Sequence, residues 1–61
     1  MNKKLKLKIV DWFGTQADFG QAIGEDDSYV SRIVRGRRVL SMEKKKKWSE
    51  ALHCKPEDIF N

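Results

Sequence analysis

Three glycines constrain this chain more than any other feature. Gly14, Gly24 and Gly36 stand ten and twelve residues apart, and each closes a short run of apolar residues recurring at i, i+3 or i+4. A residue that tolerates positive φ ends a helix at least cost. The spacing leaves room only for helices of two or three turns and predicts an all-α fold of several such pieces. A chain of 61 residues buries only about 60% of the surface its unfolded form exposes. No staple compensates: Cys54 is the single cysteine, so no disulfide closes within the chain, and His53 with Cys54 cannot supply the four ligands of a structural zinc. Stability must come from packed helices, from dimerisation, or from both. One domain over residues 1–61 is expected.

The first segment carries two patterns. KLKLKIV alternates like a strand, whereas Leu5, Ile9, Trp12 and Phe13 form a helical stripe. The stripe runs longer and ends at Gly14, which favours a helix. Thr15 then suits an N-cap, with Asp18 three positions on, and Phe19, Ala22 and Ile23 give the second helix an apolar face closed by Gly24. The third helix starts in the acidic triplet Glu25-Asp26-Asp27, with Asp26 placed to cap and Asp27 in the first turn, where carboxylates favour the positive end of the helix dipole. Val30, Ile33 and Val34 are its apolar face, and Gly36 closes it. Ser41 caps a fourth helix from about Met42 to Leu52, and Pro56 opens a last turn bearing Ile59 and Phe60. Trp12, Phe13, Phe19, Trp48 and Phe60 are expected in the core, and Tyr29 exposed at the front of the third helix.

Charge is segregated along the chain. Residues 1–10 hold four lysines and no acid, residues 11–31 five acids and no base, and residues 32–47 a net charge of +7. Such a pattern suggests one positive face. The acid-then-base order of the third helix is also what a lone short helix prefers, without any nucleic acid. Lys44 to Lys47 are consecutive, so a helix spreads them around its circumference and they cannot all face one backbone. The N-terminal lysines fit either a phosphate-grasping arm or a solubilising face.

Other classes fare badly. No stretch approaches the roughly 18 apolar residues of a membrane span, and no cleavage site follows the basic start. A single cysteine and no export signal fit a cytoplasmic protein, in a nucleoid or a host cytoplasm. A Cys–His nucleophile would need a pocket and an oxyanion hole that so small a chain does not make. Neither a catalytic residue, a metal, a cofactor nor a small-molecule effector is expected.

From Gln16 to Arg35, a short helix, a tight turn at Gly24 and a second short helix describe a helix-turn-helix. Gly20 is small where the two helices cross, and Phe19, Ile23, Val30 and Ile33 meet in the angle between them. The stretch TQADFGQAIGEDDSYVSRIVRGRR resembles the Cro/lambda-repressor-like family of DNA-binding proteins. The carrying residues are Gln16, Phe19-Gly20, Ile23-Gly24, Val30-Ser31-Arg32-Ile33 and the Arg35-Gly36-Arg37-Arg38 close, and ALHCKPEDIF is similar to the family's ending. The resemblance implies a compact five-helix lambda-repressor-like domain with helices 2 and 3 as the helix-turn-helix.

It further implies roles. Asp27, Ser28, Tyr29, Ser31 and Arg32 would meet base edges or the groove wall, and Gln16, Arg35, Arg37 and Arg38 would meet phosphate. Arg32 is the strongest base reader, since its planar fork can bond guanine O6 and N7 together. Asp27 can accept from cytosine N4 yet repels phosphate, so the triplet can be both a cap and a filter against wrong bases. Two positions depart from the family pattern: Glu25 stands where an apolar residue is usual, and Lys45 where leucine is common, so Lys45 must snorkel or the helix rotate. The expected function is sequence-specific binding of double-stranded DNA at a palindromic operator, as a homodimer on DNA and a small prokaryotic or phage repressor acting by promoter occlusion. The fourth helix and Ile59-Phe60 are the candidate dimer surface. The alternative is a protein-interaction module of antitoxin or anti-repressor type that uses the triplet as its contact surface.

Overall fold

The computed structural model describes residues 1–60. Among them five helices follow one another: α1 (Lys3–Phe13), α2 (Gln16–Ile23), α3 (Asp27–Val34), α4 (Met42–Ala51) and α5 (Pro56–Ile59), with no strand. The first segment is thus helical, and its alternating lysines simply ring a helix whose Leu5 and Ile9 are buried. No helix among the described residues is long and apolar enough to cross a membrane.

Local chemistry sets the helix ends. Thr15 Oγ1 accepts from the Asp18 N–H at 3.1 Å, and Ser41 Oγ from the Lys44 N–H at 3.2 Å; each contributes about 1 kcal/mol. Gly24 (φ +76°) and Gly36 (φ +79°) take the left-handed conformation, and the same double closure follows in both. The Glu25 N–H donates to Gly20 O at 2.8 Å and the Gly24 N–H to Gln21 O; likewise the Arg37 N–H donates to Arg32 O at 2.9 Å and the Gly36 N–H to Ile33 O. The fourth helix closes in this way at His53, which holds φ +58° without being glycine.

Asp26 corrects one expectation. Its backbone is extended and opens α3, but its carboxylate makes no capping bond. The Tyr29 and Val30 N–H groups donate to its carbonyl oxygen instead.

The core centres on Phe19 and Trp48, both fully buried with ring centroids 5.3 Å apart at 84°. Leu5 and Ile9 reach it from α1, Val30, Ile33 and Val34 from α3, and Leu52 and Ile59 from the C-terminal side. Phe19, Ile23, Val30 and Ile33 meet as expected in the angle of the two central helices. Phe13 and Phe60 are half-buried against this cluster. Trp12 is not in it: 53% exposed, it hangs past the core at the end of α1 and stacks on the His53 ring at 4.1 Å. Ala22 is also exposed, one residue short of the buried Ile23.

One residue closes the architecture that the sequence did not signal. Asn2 Oδ1 accepts from the Leu5 N–H at 3.0 Å, its Nδ2 donates to Ile59 O at 2.6 Å, and its backbone N–H donates to Val34 O at 2.7 Å. A single side chain therefore caps α1 and pins it to α5, while its own amide reaches the end of α3.

Candidate nucleic-acid interface

The face of α3 that turns away from the core follows from its period. Asp27, Ser31 and Arg35 recur at i, i+4 and i+8, and Ser28 and Arg32 lie beside them at i, i+4; Val30, Ile33 and Val34 take the opposite side. Gln16 and Ala17, in the first turn of α2, border the same surface, and together these residues line one concave groove of about 430 Å³.

Gly20 brings them together. A Cβ there would lie 2.7 Å from Glu25 O, 3.4 Å from Val30 Cγ2 and 3.6 Å from the Asp27 nitrogen. The turn therefore runs directly over the middle of α2. That proximity, with the left-handed Gly24, sets the start of α2 alongside the outer face of α3. The first turn of α2 adds the positive end of its dipole to the groove. Arg32 and Arg35 supply cationic forks, Asp27 one carboxylate, and Gln16, Ser28 and Ser31 neutral hydrogen-bonding groups.

The residues singled out in the sequence fall into three places. Gln16, Asp27, Ser28, Ser31, Arg32 and Arg35 share the groove. Arg37 and Arg38 are exposed in the segment after α3, and Arg38 borders a separate groove with Leu40 and Phe60. Tyr29 departs from its expected exposure at the front of α3. Four residues before Ile33, it shares the inner side of α3, half-buried, with its ring 6.2 Å from Trp48 at 82°. It does not line the groove.

The acidic triplet is dispersed. Asp27 faces the groove and Asp26 is exposed. Glu25 is drawn the other way: its Oε2 lies 3.2 Å from Lys44 Nζ, the one ion pair among the described residues. Lys44 Nζ also stands 4.7 Å above the Tyr29 ring. Its pKa is raised, first by the hydrogen bond to Glu25 and then, against some desolvation, by Tyr29. Glu25, at the position where the resemblance led one to expect an apolar residue, is thus a paired acid. Lys45 snorkels, half-buried, with its ammonium 6.0 Å from the Phe60 ring. Lys46 and Lys47 are exposed.

Residues 14–59 match a family model described as Helix-turn-helix, the Cro/C1 type. No curated protein and no solved structure matches the chain.

Proposed function

Because the chain belongs to the Cro/C1-type helix-turn-helix family, which binds DNA and is not an enzyme family, we propose that it is a sequence-specific regulator of prokaryotic or phage origin that represses by covering a promoter. The observation that carries this reading is the continuity of the groove: two cationic forks, one carboxylate and three neutral polar side chains from both helices of the motif line a single surface.

With α3 in the major groove, Arg32 reads guanine, Ser28 and Ser31 bond base edges, and Asp27 disfavours wrong partners. Gln16, Arg35, Arg37 and Arg38 bond phosphates, which fix register without carrying sequence information. Two copies about a two-fold would present their third helices about 34 Å apart, one turn of B-DNA, and so read a palindrome. Of the dimer candidates, Ile59 is 2% exposed within its own core, which leaves Phe60 and the outer side of α4. The alternative, a protein-binding module using the triplet, has no contiguous acidic surface in its favour.

A salt titration tests the reading. Phosphate neutralisation predicts log K falling linearly with log salt on any duplex; negligible duplex affinity at low salt would sink it. On a selected operator, Arg32→Ala should relax preference at one base pair, at about 1–3 kcal/mol, whereas Gln16→Ala should weaken all sequences alike. Sequence-blind losses from both would remove Arg32 as the reader.

A further inference from the structure

Close backbone approach joins α2 to α3, α1 to α2 and α4 to α5 but not α4 to α2 or α3, so α4 meets the helix-turn-helix chiefly through side chains. Trp48 makes one such link, to Phe19 and Tyr29. Lys44 lies four residues earlier, on the same side of α4. Its ammonium touches two other segments at once: the turn, through Glu25, and the first turn of α3, through the Tyr29 ring. Neither contact is loose at its far end. The Glu25 side chain is only 19% exposed, and its N–H is bonded to Gly20 O at 2.8 Å. Tyr29 is packed against Trp48 and precedes Arg32 by three residues, one turn away on the same helix.

We propose that Lys44, alone among the four consecutive lysines, is a positioning residue for the DNA-reading helix: paired with Glu25 and seated on Tyr29, it fixes the roll of α3 and binds no phosphate. The proposal rests on the DNA-binding reading above. A helix with side chains is about 5–6 Å in radius, so a roll of about 10° carries the outer end of a side chain by about 1 Å. That is enough to spoil a two-bond fork on guanine, whose geometry is fixed. The Lys44–Glu25 pair is electrically neutral as a unit. A lysine spent in this way releases no counterion on binding, whereas one that met phosphate would add about 0.9 to the salt slope.

The test compares the full chain with Lys44→Met, Lys44→Arg, Glu25→Gln and the double variant Lys44→Met/Glu25→Gln, with Arg35→Ala as the phosphate control. Affinities for a selected operator and for unrelated duplex are measured across salt, below the melting temperature of every variant. Lys44→Met should lower operator affinity about fivefold or more, the low end of one bidentate base contact, while unrelated duplex changes less than about twofold and the salt slope holds. Glu25→Gln should cost as much, the double variant no more than either single change, and Lys44→Arg should restore discrimination. Amide exchange in the free protein should quicken at Val30 and Ile33 in Lys44→Met. A slope reduced by about 0.9 with sequence-blind weakening would make Lys44 a phosphate ligand and overturn the proposal. Lowered stability with discrimination and exchange unchanged would overturn it too. If the unaltered protein binds no duplex, the functional reading itself has failed, and α3 has nothing to be positioned for.

Discussion

Replacing Gly20 by alanine sets two effects of opposite sign against each other. Gly20 lies inside α2, where alanine is favoured over glycine by about 0.8–1 kcal/mol. Propensity alone predicts a more stable protein. The added methyl, however, would sit 2.7 Å from Glu25 O and 3.4 Å from Val30 Cγ2. Real Cβ atoms do not approach a carbonyl oxygen so closely, and this oxygen belongs to backbone. To move it, either the Glu25–Asp26 peptide that leads into α3 must rotate, or the turn must draw away from α2 and lengthen the bond from the Glu25 N–H to Gly20 O, now 2.8 Å. Overpacking of this kind costs typically 1–3 kcal/mol, and a hydrogen bond weakened at the same place adds about 1 kcal/mol. The net expectation is a loss of about 1–3 kcal/mol. For a domain of this size that lowers Tm by roughly 5–25 °C. Thermal unfolding followed by circular dichroism reads it directly, with Ala22→Gly, at an exposed site on the same helix, as the control for propensity. The strain should also push α2 from α3 and separate Gln16 from Arg32, weakening operator binding below the transition. A Tm equal to or above that of the parent would refute the reasoning, since the close crossing would then not be what glycine is there for.

Asn2→Ala removes a helix cap and the bond to Ile59 O together, so a loss of at least about 1 kcal/mol in chemical denaturation is expected; an unchanged midpoint would deny Asn2 its bridging role. His53 stores strain at φ +58° but stacks on Trp12. His53→Gly should therefore gain about 1 kcal/mol in a Trp12→Ala background and clearly less in the parent, because the lost stack offsets the relief; equal gains in both would show the stack contributes nothing. Asp27→Asn should raise affinity for unrelated duplex and narrow the gap to the operator, as measured by competition binding, and an unaltered gap would dismiss the filter. Burial raises the pKa of Cys54, with nearby Lys8 opposing. The folded state thus holds the thiol proton more tightly than the unfolded chain, and this contribution to stability is full below the ordinary thiol value and lost as pH rises from there through the raised folded value. Alkylation near pH 8 should accordingly be slower folded than in denaturant; equal rates would contradict the placement of Cys54.

How far the sequence could be read depended on how local each cause was. Gly24 and Gly36 were legible because a left-handed residue after a helix answers to its own turn. The Thr15 and Ser41 caps, each bonding three residues on, were legible for the same reason. The resemblance named most of the residues that line the groove, whereas period alone would have placed Tyr29 inside with Ile33; its position near the helix start was the misleading cue. Trp12 shows the opposite limit, since a helical stripe gives a direction but not where the core beneath it ends. Asp26 had the right residue type for a cap, yet its carboxylate went unused. The two links that tie the elements together, Asn2 to Ile59 and Glu25 to Lys44, join segments remote in sequence. Neither leaves a periodic or compositional trace, because each exists only once the helices have been assembled.

The bond from Asn2 to Ile59 O nearly closes the described residues into a ring. These two residues are neighbours, while the exposed stretch around Arg38 and Val39 lies between α3 and α4. A permuted version, opened at Arg38–Val39 and joined across the old ends by a few flexible residues, would keep every helix whole. In that rearranged order the reading helix would be the last element made and the α4–α5 pair the first, turning the sequence of synthesis around while leaving the groove between α2 and α3 intact.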